Sequence, residues 1–288
     1  MRKMHLFKFL RQGVRLMLYS EDFVEKQFLF VSSIDGEKIS FKNDNVVISD
    51  KEGKIKHQSS CYRLLAIFVI GHASITTGII ERSKKFGFAI VLMTTNFRPY
   101  QVISSVAEAN VQLRKNQYGY NALGCAKKLV QNKIKNQRIL LCSVRKKTDE
   151  QHQAIKCIDE YIAHLNSANT IRQIMGIEGN SARVFFKSYF DNVRWVGRFP
   201  RIKFDMVNAL LDIGYTILFN FVDVMLAVFG VDRYCGFCHT QFYMRKSLTC
   251  DIVEPFRCIV DQQIKKSINL GQFKEEDFNI TNSKTAFV

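Results

Sequence analysis

The sequence predicts an α+β chain of two domains: a β-rich N-terminal domain, made of hairpins plus one strand-helix-strand unit, and a larger all-α C-terminal domain. Three observations carry this. Between Gln27 and Gln58, short runs of β-branched and aromatic residues alternate with turn dipeptides. Between Ala66 and Met93, two compact apolar runs flank one helical pattern. From about Ala107 the periodicity becomes helical, and no proline interrupts it between Pro99 and Pro200. The boundary is therefore placed near residue 105, with residues 17–105 in the β-rich domain and 106–288 in the helical one.

In order, the strands are Gln27–Ser32, Lys38–Lys42, Asn45–Ser49 and Lys54–Gln58, read as a chain of hairpins because Asp35-Gly36, Asn43-Asp44 and Glu52-Gly53 separate them. Ala66–Ile70 is a further strand. Thr76 or Thr77 can cap a helix that ends at Gly87, and Phe88–Met93 is the strand that follows. Residues 209–230 have nearly the length of a membrane span, but Asp212, Asn220 and Asp223 would lie in hydrocarbon. A buried helix of a soluble domain is the better reading, with no membrane partner.

The 288 residues carry 42 Lys and Arg against 26 Asp and Glu, a formal charge of +16. Such a surplus points to a polyanion, and nucleic acid fits better than a membrane surface. It is concentrated between Glu108 and Asp149, where no acid occurs but Arg114, Lys115, Lys127, Lys128, Lys133, Lys135, Arg138, Arg145, Lys146 and Lys147 do. An ordered, phosphate-contacting helix pair is expected there. Eight cysteines without regular spacing fit reduced thiols in a cytoplasm, and Lys8 and Arg11 break the apolar core that a signal peptide needs.

Candidate chemistry sits in three stretches: Gly-Ile-Glu-Gly around Glu178, Gly-Phe-Cys-His ending at His239, and Asp251-Ile-Val-Glu254-Pro-Phe-Arg257. Carboxylate oxygens with one imidazole suit a hard divalent ion such as Mg²⁺ or Mn²⁺, and a basic protein holding that ion suggests phosphate chemistry. On one straight helix His239 and Glu254 would stand about 22 Å apart. To share an ion, the chain must turn back within Thr240–Thr249. Pro255 predicts a kink at Glu254, and Asp251 and Glu254, at i and i+3, can share a face. Arg183, Lys187 and Arg194 are spaced to lie on one helical face beyond Glu178, with Arg198, Arg201 and Lys203 following, all placed to grip phosphates.

Ile177-Glu178-Gly179 with Phe185-Phe186, Asp205-Met-Val-Asn208 with Gly214-Tyr215, Gly236-Phe-Cys-His239, Arg245-Lys-Ser247-Leu248 and Asp251-Ile-Val-Glu254-Pro-Phe-Arg257 with Asp261 form an ordered series. In order and spacing it resembles the CRISPR-associated integrase family Cas1. The resemblance implies a helical catalytic domain in which Glu178, His239 and Glu254 are metal ligands and catalytic residues, with Asp251 an auxiliary acid. It implies Tyr215 near the active centre and Arg245 in the stretch before the last carboxylates, where it joins Arg114, Lys115, Arg183, Lys187, Arg194, Arg198 and Arg201 as candidate DNA contacts. It further implies a Mg²⁺- or Mn²⁺-dependent DNA endonuclease and integrase in a prokaryotic cytoplasm. Such an enzyme inserts spacers into a CRISPR array by transesterification, acting on protospacer and repeat duplex DNA as a homodimer together with a Cas2 dimer. Met17-Leu18-Tyr19-Ser20 resembles a family start, which makes residues 1–16 an N-terminal extension or an upstream start choice.

Two rivals come from other classes. A non-catalytic nucleic-acid-binding subunit would use the basic helices alone. Cys235-Gly-Phe-Cys238-His239 matches the pattern for covalent haem, but it needs an exported, oxidising setting and leaves the carboxylates unexplained.

Overall fold

The computed structural model describes residues 25–104, 110–191, 195, 197–200, 205–281 and 284–287. The expected extension at residues 1–16 and the candidate contacts Arg194 and Arg201 lie outside them. Two compact units result: one runs to Tyr118 and takes in Asp223–Asp232, and the other comprises Gly119–Val222 and Arg233–Val288.

In the first unit, β1 (Gln27–Ser32), β5 (Leu64–Ile70), β6 (Ala89–Met93) and β7 (Pro99–Ile103) form a four-stranded sheet in the order β1-β5-β6-β7. β2 (Lys38–Lys42), β3 (Asn45–Ser49) and β4 (Ile55–Ser60) form an antiparallel meander. The chain of hairpins thus holds for β2 to β4 and not for β1, which pairs parallel with β5. Helix α1 (Thr77–Phe86) crosses from β5 to β6, also parallel, and closes at a left-handed Gly87. Thr76 is its N-cap residue by position, without a side-chain hydrogen bond.

Every residue of β5 is buried because both faces of its sheet are covered. Ile67 and Val69 enter one core with Leu29, Val31, Ile79 and Phe86. Alternate residues Ala66, Phe68 and Ile70 enter another, which also holds Val224 and Val228. Those valines belong to α6 (Met206–Phe229). Its C-terminal carbonyls are met by side chains of α2 (Val111–Tyr118): Asn110 Nδ2 donates to Phe229 O and Arg114 Nε to Gly230 O at 2.8 Å. A cation on these orphan carbonyls also suits the negative end of the helix dipole.

The second unit packs α3 (Ala122–Cys142), α4 (Asp149–Ser167) and α5 (Ile171–Tyr189) pairwise. Asn121 caps α3, and Thr148 with Gln151 and Thr170 with Gln173 form capping boxes on α4 and α5. Ile134, Leu141, Ile158, Leu165, Ile174, Phe185 and Leu211 are buried in the shared core. Then come α7 (Ser247–Val253), a 3₁₀ turn at Glu254–Phe256, α8 (Arg257–Asn269) and a two-stranded hairpin, β8 (Phe278–Thr281) with β9 (Lys284–Phe287). Among the described residues, α6 alone is long and apolar enough to cross a membrane. Yet its Asn208 and Asp223 are buried, and Asn208 bonds to Asp205, Gly197, Phe199 and Arg198.

Candidate metal centre in the helical unit

The core face of α3 is built from Ala126, Val130, Ile134 and Leu141, and Lys133 falls among them with a side chain only 8% exposed. Its ammonium donates to Glu178 Oε1, from the middle of α5, and to Glu254 Oε2 at 2.5 Å, from the 3₁₀ turn. Glu178 and Glu254 are themselves only 17% and 16% exposed. Arg257 Nη2 holds the other oxygen of Glu254 at 2.9 Å. Pro255 occupies the first turn of the 3₁₀ segment, as the expected kink requires, and its carbonyl accepts from Asn136, one turn beyond Lys133 on α3.

The electrostatics follow from this crowding. Burial alone would raise the Glu254 carboxyl, but Lys133, then Arg257 and His239, hold it below the usual carboxylate range. Burial likewise opposes charge on Lys133, and Glu254 and Glu178 outweigh it, so the lysine stays protonated above its ordinary value.

His239 lies in the irregular chain before α7, which supplies the expected reversal. Asp251 on α7 is 1% exposed and is saturated from this loop. Phe237 N and Cys238 N donate to its Oδ2 at 2.5 and 2.9 Å, and His239 N donates to Oδ1 at 3.1 Å. The His239 ring meets Oδ1 through Nδ1 at 2.5 Å. That partner favours the Nδ1–H tautomer and leaves Nε2 as the lone-pair nitrogen. Gly236 permits the wrap: a Cβ there would stand 2.7 Å from Asp251 Oδ2 and 2.7 Å from the Ser247 carbonyl carbon.

The three acids and the imidazole expected at one ion therefore form two pairs, Glu178 with Glu254 across Lys133, and His239 with Asp251. Among the described residues no group of three or more His, Cys, Asp or Glu side chains gathers at metal-binding separation. The donors nevertheless suit a hard divalent ion, because the two carboxylates already converge on a cation. The buried atoms Gln137 Oε1 and Ser181 Oγ, one helical turn from Lys133 and Glu178, have no hydrogen-bond partner.

Beneath the site, Tyr215 OH donates to Asp261 Oδ1, and the Arg257 and Arg198 guanidiniums lie over the Tyr215 ring at 4.6 and 5.4 Å. Burial pushes the Asp261 carboxyl up to about 7. Arg198 also pairs with Asp212 and donates to Asn208 Oδ1 at 3.0 Å.

Beside Glu178, the residues Gly179, Ala182, Arg183, Phe186, Lys187, Trp195 and Arg198 line a depression of about 490 Å³. Lys187 is largely exposed and 3.0 Å from Glu150. Helix α5 ends at Tyr189, so the single helical face expected to include Arg194 stops short of it. Lys115 is exposed on α2, whereas Arg114 is turned to the α6 carbonyls. Arg245 is exposed in a loop whose Phe242, Tyr243 and Met244 are 76%, 85% and 74% exposed, with Met244 in the left-handed region at φ 57°.

Lys133, expected on a phosphate-facing surface, instead lies between the carboxylates of Glu178 and Glu254. The signal was present: Lys133 and Gln137, at i and i+4, interrupt the apolar stripe of α3 with polar groups. The cysteines beside His239 are bystanders in geometry. None of the eight cysteines forms a disulfide, and burial pushes Cys238 up to about 12.

A small mixed-sheet unit, with a helical unit in which two glutamates meet a buried lysine, defines a class of α+β proteins with an acidic centre held between helices. Within that class, the chain belongs to the CRISPR-associated protein Cas1 family, whose model matches residues 30–287. It is 27% identical over 258 residues to CRISPR-associated endonuclease Cas1 1 of Thermodesulfovibrio yellowstonii, covering 85% of this chain and 79% of that one. Among solved structures, a chain of a partial Cas6-RT-Cas1–Cas2 complex superposes with TM-score 0.75 at 23% identity, covering 91% of this chain and 83% of that one. A casposase bound to integration product gives TM-score 0.65 at 20% identity, covering 91% and 78%. These two likenesses establish the β-rich and helical fold.

Proposed function

We propose that the chain is a divalent-metal-dependent DNA endonuclease and integrase that inserts spacer DNA into a CRISPR array by transesterification. The observation that carries this is the convergence of Glu178 and Glu254 on one cation, with Lys133 in that place and His239 near enough to act on Glu254. Glu178 and Glu254 offer carboxylate oxygens, and His239 offers Nε2 as neutral imidazole. Asp251, its oxygens taken by three backbone amides and the ring, acts through His239 by fixing tautomer and orientation. Arg257 holds the Glu254 carboxylate in place. Held by Glu178, Glu254 and His239, Mg²⁺ or Mn²⁺ would supply Lewis acidity for phosphoryl transfer to a 3′-hydroxyl, with the target strand's 3′-oxygen as leaving group.

DNA recognition is assigned to the depression beside Glu178. Arg183 and Lys187 meet phosphates there, while Phe186 and Trp195 offer surface to bases. The exposed Phe242-Tyr243 loop with Arg245 adds a second aromatic and basic element. The partners are duplex DNA, a second copy of the chain and a Cas2 dimer, in a prokaryotic cytoplasm; the superposable chain from a complex containing Cas2 supports that assembly.

The test mixes the protein with Mn²⁺ or Mg²⁺, its Cas2 partner and 3′-hydroxyl DNA, and looks for joining to a repeat-containing plasmid. Joined product that disappears in Glu178→Ala and Glu254→Ala is expected. Joining that survives both changes refutes the site, and binding without joining in the unaltered protein makes it a non-catalytic DNA-binding subunit.

A further inference from the structure

The proposed metal place already holds a charge, and that charge belongs to the protein. We infer that Lys133 is a resident counter-ion that competes with the metal: it neutralises the carboxylate pair until an ion arrives, and the ion binds only by displacing it. This rests on the metal reading above.

Two carboxylates less than one-fifth exposed and facing a common point repel each other strongly without a cation. Lys133 relieves this by bonding one oxygen of each. The second Glu254 oxygen is held by Arg257, so on Glu254 the oxygen that Lys133 occupies is the one left for an ion. An ion placed between the two oxygens that Lys133 bonds would meet the ammonium already there, and two cations at one point repel one another. The lysine stem is four methylenes long and flexible, so Nζ can swing aside while its Cα stays fixed in α3. The swing is not free, because the buried ammonium must find new partners. Metal affinity is therefore lowered by the free energy of the lysine pairs, and by linkage the metal weakens those pairs equally. A merely structural ion pair behaves differently: removing it would loosen the carboxylates and weaken metal binding or leave it unchanged.

Lys133→Met keeps the stem and removes the charge. Titration calorimetry with Mn²⁺ alone is expected to show binding about tenfold tighter than in the unaltered protein. Melting in chelator should fall, and Mn²⁺ should restore more of it than in the unaltered protein. If the unaltered chain binds no Mn²⁺, or binds it regardless of Glu178→Ala, the functional reading itself fails. If binding depends on Glu178 but Lys133→Met binds no more tightly, only the counter-ion role is overturned. A second measurement needs no variant: acetic anhydride labelling of Lys133, read by mass spectrometry, should rise when Mn²⁺ is added. Labelling that stays level or falls also overturns the role, including where Lys133→Met fails to fold.

Discussion

Asp251 is a buried carboxylate whose oxygens are taken up by its neighbours. Three backbone amides and one imidazole nitrogen surround it, so replacing it with Asn puts an NH₂ group against at least one donor. Asp251→Asn should lower Mn²⁺ affinity about 10- to 100-fold, the usual cost of losing a carboxylate behind a ligating histidine, with the circular dichroism spectrum unchanged. Calorimetry checks this, and unaltered affinity would remove Asp251 from any positioning role. Asp261 gives a different signature. Its carboxyl is raised by burial from an ordinary 3.8 to about 7, so in that window the folded protein holds a proton that the unfolded chain has lost. Stability from this group is complete below the window and falls as pH rises through it, by at most ~1.4 kcal/mol per pH unit. Asp261→Asn removes the slope: the urea midpoint of the unaltered protein should fall relative to the variant as pH is raised toward neutrality. Glu254, held low, pulls the other way, losing its contribution as pH falls, and the comparison cancels it because both proteins retain it. A constant difference across the window refutes the assignment.

At the scale of elements, the crossing of α6 and α8 decides where Arg257 and Asp261 stand against Tyr215. Gly214 makes that crossing close: a Cβ there would lie 2.4 Å from Val260 Cγ1. Valine is stiff in a helix and cannot turn away cheaply. Gly214→Ala should therefore destabilise by about 1–3 kcal/mol, and Gly214→Ala with Val260→Ala should recover most of it, as read from urea midpoints. Recovery would be absent if the cost came from elsewhere. Elements of this kind were unevenly legible in the sequence. The β2–β4 meander and the strand-helix-strand unit were legible because turn dipeptides and an αL glycine mark their ends. The partner of β1 was not, since residue alternation names a buried face and not a neighbouring strand. β7 was missed because Pro99, Tyr100 and Gln101 do not read as a strand, and Pro99 fits one only because β7 lies at the sheet edge. In the site, the chain reversal before α7 was legible from spacing. The separation of Asp251 from Glu254 was not, because it depends on backbone amides of a loop with no periodicity.

For the molecule as a whole, the surplus of +16 is not all available to a polyanion. Lys133 is spent inside the site, Arg138 is held by Asp159, Arg114 faces helix carbonyls, and Lys127 and Lys147 donate to backbone oxygens. A count of basic residues therefore overstates the phosphates neutralised, and the salt dependence of binding is the quantity that measures them. Each phosphate contact lowers the slope of log affinity against log salt by about 0.9 on duplex DNA. If Arg183 and Lys187 each meet one, Arg183→Ala with Lys187→Ala should flatten the slope by about 1.8 and weaken binding alike for every sequence tested. Phe242→Ser with Tyr243→Ser removes apolar surface and no charge, so it should weaken binding while leaving the slope unchanged, most on single-stranded or frayed ends where bases are free to stack. Fluorescence anisotropy over a salt series, with duplex and single-stranded probes, separates the two effects. A slope that moves with the aromatic pair, or stays still with the basic pair, would show that the depression beside Glu178 is not where phosphates are held.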